Sequence, residues 1–144
     1  MTSFFNCITD DFWASPQITC AQIADIKKAG FDLIINNRPD GEAPGQPSNH
    51  DIQTEAKAAG INYLYIPIGR GGISEADIEA FVQATANATK TLGFCRTGTR
   101  STIIRSLAAA RAGDPIENIL RDAARGGYDL TGHIEQLKNA AIKA

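Results

Sequence analysis

The sequence has few of the residues that bind metals or form disulfides. Among its 144 residues are two histidines, His50 and His133, and three cysteines, Cys7, Cys20 and Cys95. The cysteines are widely spaced with no C-x-x-C pair, and neither histidine stands at metal-ligand spacing from a cysteine. This pattern argues against a zinc site and a disulfide framework, and it favours free thiols in a reducing compartment. We therefore expect no metal and no other cofactor.

Long apolar runs and a large excess of charge are also lacking. No run approaches the roughly 20 apolar residues of a membrane-spanning helix. The first segment, MTSFFNCITDDFW, has acidic residues where a signal peptide needs a basic and then an apolar region. The net charge of −2 and the pI near 5.6 argue against binding to nucleic acid or to an anionic membrane. The expected location is cytoplasmic.

Short apolar runs alternate with amphipathic stretches along the chain, without a repeat or a linker. This alternation predicts one α/β domain over residues 1–144, with a mostly parallel central sheet covered by helices on both faces. The polar, Pro- and Gly-rich stretch 37–49 predicts a long loop that carries function or mobility. The expected strands are 12–15, 31–36, 63–68 and 90–94, and the expected helices are 19–29, 50–59, 74–89, 101–112, one from about 115 and one ending near 142.

The stretch GFCRTGTRST (93–102) combines a cysteine with two arginines, glycine and four hydroxyl side chains. It follows a predicted strand and precedes a helix expected from Ser101, so Cys95 begins a tight turn. Such a turn directs backbone N–H groups and the positive end of the helix dipole at the sulfur, and Gly98 allows an anion-binding nest. With Arg100 adjacent, these surroundings predict a thiol pKa lowered from about 8.5 into the range of about 3.5–7.5. The alternative is a buried cysteine at a strand end beside solvated arginines.

Several segments together carry a resemblance to a known family. They are INNRPDGE (35–42), EAKAAGINYLYIPI (55–68), GGISEADIEAF (71–81), GGYDLTG (126–132) and the cysteine loop, which is residues 95–100. Along nearly its whole length the chain resembles the proteobacterial phosphatase-like domain of beta-lactamase hydrolase-like proteins. The order of its strands and cysteine loop is similar to that of the more distant dual-specificity and tyrosine phosphatases, whose fold the resemblance implies.

The resemblance also implies roles for residues of the loop. By position, Cys95 is the nucleophile that attacks phosphorus, Arg100 holds the equatorial oxygens, and Ser101 is a hydroxyl that steadies the departing thiolate. Arg38 and Arg70 follow two strand ends, where open α/β sheets bind ligands, or else they are solvated loop charges. The expected ligand is a small anion, bound by Arg96, Thr97, Gly98, Thr99, Arg100, Arg38 and Arg70.

The sequence departs from the phosphatase signature HC-x5-R in three respects. Phe94 replaces the histidine, and Arg100 lies five rather than six positions after Cys95. The third departure is the loop GRGG (69–72), which has no carboxylate where a general acid is expected. A loop one residue shorter has fewer N–H groups for a tetrahedral phosphate. Its C-x4-R length resembles instead the persulfide-carrying loop of single-domain rhodaneses.

Three carboxylates are candidates for the missing acid. Asp77 is close in sequence to the GRGG loop, although its simplest role is in a capping box with Ser74. Asp40 and Glu42 stand in the 37–49 loop and become candidates if that loop folds over the pocket. Their simplest role is turn formation, since Pro-Asp-Gly is a strong turn signal.

Two classes of function stay open, and one of them includes two chemistries. The chain-wide resemblance favours a phosphatase-like hydrolase with a phosphocysteine intermediate on Cys95, whereas loop length and the missing acid favour a sulfurtransferase with a persulfide there. The substrate is then a phosphate ester or a sulfane sulfur donor. The other class is a non-catalytic module that binds a phosphorylated or sulfated partner. In either enzyme Cys95 is expected to be the reactive thiol, with Cys7 and Cys20 as small buried apolar residues.

Overall fold

A five-stranded sheet runs through the computed structural model, which describes residues 5–142. In sheet order the strands are β1-β2-β5-β3-β4, where β1 pairs antiparallel with β2 and all other neighbours are parallel. The predicted mostly parallel α/β architecture is confirmed. The strands are β1 (Asn6–Thr9), β2 (Phe12–Ser15), β3 (Leu33–Asn36), β4 (Asn62–Tyr65) and β5 (Thr91–Phe94).

Helices cover both faces of this sheet. Two of them lie on one face and the remaining four on the other, as the two apolar cores show. Short 3₁₀ turns at Cys20–Gln22 and Thr131–His133 precede the first and last helices. The helices are α1 (Ile23–Lys28), α2 (Asn49–Ala58), α3 (Glu75–Thr85), α4 (Thr99–Arg111), α5 (Ile116–Arg125) and α6 (Ile134–Ile142).

Alternate residues of the central strands divide the interior into two cores. Ile34 and Leu92 belong to the core beneath α1 and α2, whereas Leu33 and Ile35 belong to the core beneath α3 to α6. This alternation is the period of two that a strand imposes on its side chains. Every residue of β3 and β5 is buried, as expected for central strands of a sheet that is covered on both faces.

A glycine in the central strand β5 sets how closely α4 packs on the sheet. A Cβ built at Gly93 would lie 2.8 Å from the Phe12 ring and 3.1 Å from the Cβ of Ser101. These distances are too short for carbon atoms in van der Waals contact. The absence of a side chain therefore lets the first turn of α4 lie directly against the end of β5, where Cys95 follows.

Several elements differ in their bounds from the sequence prediction; helix α3, for example, ends at Thr85 rather than at about 89. Strand β1 was not predicted, because only Ile8 of its four residues is buried and its ladder with β2 is irregular between Cys7 and Thr9. Strand β4 ends at Tyr65 rather than at 68, because Pro67 has no N–H for a regular ladder. Within residues 5–142, no helix has the length and apolar character needed to cross a bilayer.

Candidate active site

Cys95 lies at the carboxyl edge of the sheet, one residue beyond β5 and between the ends of β2 and β3. Helix α4 begins at Thr99, two residues earlier than the predicted Ser101. The reason is Gly98, which has a left-handed φ of 97° and is the N-cap of the helix. Gly98 thus adopts a conformation that residues with a Cβ disfavour, as predicted. Because the helix begins directly after Gly98, the turn after Cys95 is shorter than expected.

The sulfur of Cys95 accepts a hydrogen bond from the loop that follows it. The Gly98 N–H donates to Cys95 Sγ at 3.1 Å, while the Cys95 N–H donates to the Ser15 carbonyl at 3.4 Å. Cys95 has no exposed surface. The sulfur is therefore shielded from solvent in this structure.

The other two cysteines have different surroundings. Cys7 and Cys20 are half-buried, so the prediction that they are small buried apolar residues is wrong as to their burial. The Cys7 thiol donates to the Thr9 carbonyl at 3.3 Å. Burial raises the pKa of the Cys20 thiol, and the nearby carboxylates of Glu55 and Asp51 raise it further. This disfavours a thiolate at Cys20.

The guanidinium of Arg100 binds the carboxylate of Glu42 and is therefore not free to bind another anion in this structure. Its Nη1 donates to Glu42 Oε2 at 2.7 Å and to the Ile68 carbonyl at 2.8 Å, and its Nη2 donates to Glu42 Oε1 at 2.9 Å. These bonds form the bidentate fork that arginine makes with carboxylates and phosphates. The bonds to Glu42 raise the pKa of Arg100, and the adjacent Cys95 sulfur raises it further.

Glu42 also binds a second arginine, Arg38, which is buried. Arg38 Nε donates to Glu42 Oε1 at 3.0 Å, and Arg38 Nη1 donates to Gln17 Oε1 at 3.1 Å. Hydrogen bonds from Arg100, and then those from Arg38, lower the pKa of the Glu42 carboxyl to about 2. In this arrangement Glu42 is an ionised acceptor with no proton to donate.

The 37–49 loop is folded by its own hydrogen bonds. Asp40 Oδ1 accepts from the Asn49 N–H at 2.7 Å, and the Asp40 N–H donates to the Tyr65 hydroxyl at 3.0 Å. The Glu42 N–H donates to Gln46 Oε1 at 3.0 Å. Asp40 thus organises the loop that presents Glu42 to the arginines, and its proposed role as an acid stays a prediction.

Ser101 is fully buried and bonded to an asparagine from the neighbouring strand end. Its Oγ donates to Asn37 Oδ1 at 2.7 Å, and Asn37 Nδ2 donates to the Ile66 carbonyl at 3.0 Å. A serine hydroxyl has one proton, so Ser101 in this state donates to Asn37 and not to Cys95. Its predicted role toward the thiolate needs that hydroxyl to rotate, and it stays a prediction.

Asp77, Arg70 and Arg96 are further predicted site residues. Asp77 and Ser74 form the predicted capping box, with the Ser74 N–H donating to Asp77 Oδ2 at 2.9 Å and the Asp77 N–H donating to Ser74 Oγ at 3.0 Å. Arg70 and Arg96 have exposed side chains. The catalytic role of Asp77 and the binding roles of the two arginines stay predictions.

Tyr128, which was not among the predicted site residues, contacts the cysteine loop. The Tyr128 hydroxyl donates to the Thr97 carbonyl at 3.0 Å and accepts from Asn6 Nδ2 at 2.9 Å. The hydroxyls of Thr97 and Thr99 are themselves hydrogen-bonded at 3.0 Å. The signal for Tyr128 was its place in the GGYDLTG segment. No group of three or more His, Cys, Asp and Glu side chains within residues 5–142 is arranged to hold a metal.

Comparison with known proteins places the chain in a family. The model of the beta-lactamase hydrolase-like protein, phosphatase-like domain, matches residues 4–112. The chain is 39% identical over 112 residues to the beta-lactamase hydrolase-like protein of Agrobacterium fabrum strain C58, which is 76% of this chain and 26% of that protein. The chain thus spans about a quarter of that relative's length.

Solved structures agree with the family match. A phosphatase candidate from Neisseria meningitidis Z2491 is 32% identical with a TM-score of 0.83, covering 97% of this chain and 99% of its own. PTPMT1 in complex with PI(5)P is 13% identical with a TM-score of 0.77, covering 97% and 96%. This second likeness concerns the fold alone. The fold is that of dual-specificity and tyrosine phosphatases, as the resemblance in sequence implied.

Proposed function

The chain belongs to the family of phosphatase-like domains of beta-lactamase hydrolase-like proteins, and we propose that it hydrolyses small phosphate esters through a covalent intermediate on Cys95. The observation that carries this proposal is the Gly98 N–H bond to Cys95 Sγ at the N-terminus of α4. An N–H donor and the positive end of a helix both stabilise a negative charge on sulfur. Arg100 supplies a guanidinium beside the same sulfur.

In the proposed first step, the Cys95 thiolate attacks the phosphorus of the ester. An S–P bond forms and the P–O bond to the leaving group breaks, which releases an alkoxide or aryl oxide that takes a proton from water. In the second step, water attacks phosphorus, the S–P bond breaks, and inorganic phosphate and the thiolate are released. Loop N–H groups and Arg100 hold the phosphoryl oxygens in both steps.

Binding of a phosphate ester requires that Glu42 leave Arg100. The carboxylate occupies both outer nitrogens of the guanidinium, at 2.7 and 2.9 Å. A phosphate dianion at the same position would meet the ionised Glu42, and like charges at contact distance repel. The proposal therefore includes displacement of Glu42 from Arg100 when substrate binds.

A second candidate function is sulfur transfer, which the charges of this site favour. Arg38 and Arg100 carry two positive charges and Glu42 one negative charge, so these three leave one positive charge for the Cys95 thiolate. A persulfide is also a monoanion, so the loaded form of Cys95 is compatible with Glu42 on Arg100, although the incoming thiosulfate is a dianion like the phosphate ester. The thiolate would attack the outer sulfur of thiosulfate, breaking the S–S bond and releasing sulfite. A thiolate acceptor would then take that sulfur from Cys95.

Intact-protein mass spectrometry separates the two candidates. The protein is incubated with an aryl phosphate, or with thiosulfate, and quenched in acid. Phosphate hydrolysis predicts an added mass of about 80 units (HPO₃) on Cys95, and sulfur transfer predicts about 32 units (S) there. Cys95→Ser should lose either adduct, and the matched variant Cys20→Ser should keep it. An aryl ester is used because its leaving group departs without a general acid.

Each result of this experiment leads to a different conclusion. A phosphoryl adduct and release of phosphate support the first proposal. A sulfur adduct without a phosphoryl adduct replaces it with the second. If Cys95 stays unmodified with both reagents and neither is turned over, both enzymatic proposals fail and anion binding without catalysis is left.

A further inference from the structure

One peptide unit connects Tyr128 to the sulfur of Cys95. The Thr97 carbonyl and the Gly98 N–H belong to the same peptide group, and no peptide bond among the described residues is cis. In a trans peptide these two groups point in opposite directions. The carbonyl accepts from the Tyr128 hydroxyl at 3.0 Å, and the N–H donates to Cys95 Sγ at 3.1 Å. The tyrosine thus holds one end of the peptide group whose other end faces the sulfur.

A third residue fixes the direction of the tyrosine proton. Asn6 Nδ2 donates to the Tyr128 oxygen at 2.9 Å, so the only proton of that hydroxyl is free to bond the Thr97 carbonyl. Burial raises the pKa of Tyr128, which keeps the hydroxyl protonated. The chain of donors runs from Asn6 through Tyr128 and the peptide to Cys95.

The fit between the tyrosine and the loop is close. A Cβ built at Gly98 would overlap with the Tyr128 hydroxyl. This contact is not a consequence of local sequence, since Thr97 and Tyr128 are 31 residues apart and Asn6 and Tyr128 are 122 apart. The fold therefore brings β1 and the segment after α5 together at one peptide group of the loop.

We propose that Tyr128 is a positioning residue, whose hydroxyl orients and polarises the Thr97–Gly98 peptide so that its N–H stabilises the Cys95 thiolate. Hydrogen bonds in series strengthen one another, because a carbonyl that accepts a bond makes the N–H of the same peptide a better donor. The inference rests on the proposed role of Cys95 as nucleophile, and it applies to phosphoryl and sulfur transfer alike.

The test measures the ionisation of Cys95 by absorbance and not by its rate of alkylation. Cys95 is buried, so an alkylation rate would depend on access to the sulfur as well as on its ionisation. Ultraviolet thiolate absorbance is followed between about pH 4 and pH 9, and the signal of the matching protein with Cys95→Ser is subtracted. Tyr128→Phe removes the hydroxyl and keeps the ring. We expect the titration midpoint of Cys95 to rise, with a thiolate fraction about three- to tenfold smaller below that midpoint, the range for loss of one hydrogen bond.

Tyr63→Phe is the matched control. Tyr63 also has a partly buried hydroxyl, which donates to Asn49 Oδ1 at 2.6 Å and accepts from Asn36 Nδ2 at 3.0 Å. Its removal is expected to lower the melting temperature without moving the Cys95 midpoint. A second variant, Asn6→Ala, leaves the Tyr128 hydroxyl in place but free to turn, and we expect a smaller rise in the midpoint.

Each result decides the inference. An unchanged midpoint in folded Tyr128→Phe overturns it, and so does an equal rise in Tyr63→Phe. If Tyr128→Phe does not fold, Asn6→Ala decides, since no rise there also overturns the inference. These failures differ from failure of the proposed function, in which the wild-type protein forms no adduct on Cys95. An adduct in the wild type with an unmoved midpoint in the variants removes the role of Tyr128 alone.

Discussion

The contacts of Arg100 determine which anion can bind beside Cys95. Its guanidinium makes three hydrogen bonds, two to Glu42 and one to the Ile68 carbonyl, and the neighbouring Cys95 sulfur raises the pKa of Arg100. Only a planar fork with several donors makes this set of bonds. A substrate anion that replaces Glu42 would use the same fork.

Arg100→Lys is expected to lower kcat/KM by about tenfold to a thousandfold, comparable to loss of one oxyanion donor. The reason is that an ammonium is a point charge and cannot hold two oxygens side by side. Steady-state kinetics with whichever substrate the wild type turns over gives the measurement. Arg111→Lys is the matched control. Arg111 lies at the other end of the same helix, and its Nη2 donates a hydrogen bond of 2.6 Å to Glu79 Oε1. Full activity of Arg100→Lys would remove Arg100 from the site.

A pair of glycines separates backbone strain from crowding at the loop. Gly98 and Gly113 both have left-handed φ values, 97° and 101°, but only Gly98 has neighbours that a Cβ would meet. Gly113→Ala is expected to lower the free energy of unfolding by about 1–2 kcal/mol, the cost of that conformation for a residue with a Cβ. Gly98→Ala should lose more, because the Cβ also displaces Tyr128. Urea unfolding measures both, and equal losses would show that Tyr128 does not crowd the loop.

At the scale of residues, the sequence predicted those features that depend on residues close together in the chain. The placement of Cys95, Gly98 and Arg100 between a strand and a helix could be predicted because these elements are adjacent in the chain, whereas their catalytic roles stay predictions. The Tyr128 contact could not be predicted, since it depends on a segment 31 residues away from Thr97. Glu42 was considered as an acid, but its two arginine partners, which determine its charge, are known only from the fold.

The element that distinguishes this site is the 37–49 loop. Its polar composition predicted a functional loop, and the structure shows that Asp40 and Gln46 fold it around Glu42. The place of the loop is therefore determined by hydrogen bonds within it and to Tyr65. The sequence could indicate that the loop exists, but the direction of each side chain depends on these bonds.

The loop predicts a pH dependence of stability. The Glu42 pKa is lowered from 4.5 to about 2 in the folded protein. A carboxyl with a lowered folded pKa stabilises the fold above its unfolded pKa, and this contribution disappears as the pH falls through the folded value. Wild-type protein should therefore be more stable than Glu42→Gln at pH 7, with the difference shrinking below about pH 4.5 and vanishing near pH 2.

Urea or thermal unfolding at a series of pH values tests this expectation. Glu55→Gln, which changes an exposed carboxylate on α2, is the matched control and should show no comparable difference from the wild type. A Glu42→Gln protein whose deficit is the same at pH 2 and pH 7 would contradict the charged contact with the arginines. A variant as stable as the wild type at pH 7 would show that the contact contributes nothing.

At the scale of the whole molecule, the sheet separates two cores that the sequence could not assign. Trp13, the single tryptophan, packs against the core beneath α1 and α2. Leu137 of α6 is buried in the other core. The apolar runs predicted the strands, but which helix covers which face depends on chain crossings over the sheet, and no local pattern records these. One cooperative domain over the chain stays a prediction.

Leu137→Ala tests that prediction, because it damages one core while Trp13 reports on the other. Loss of a buried leucine side chain is expected to cost about 2–5 kcal/mol. If the two cores unfold as one unit, the urea midpoint seen by Trp13 fluorescence should fall as far as the midpoint seen by far-ultraviolet circular dichroism. The matched control is Ile142→Ala at the exposed end of α6, with an expected change within about 0.5 kcal/mol. A Trp13 transition that stays at its wild-type midpoint while the helical signal melts earlier would show that the two cores unfold independently.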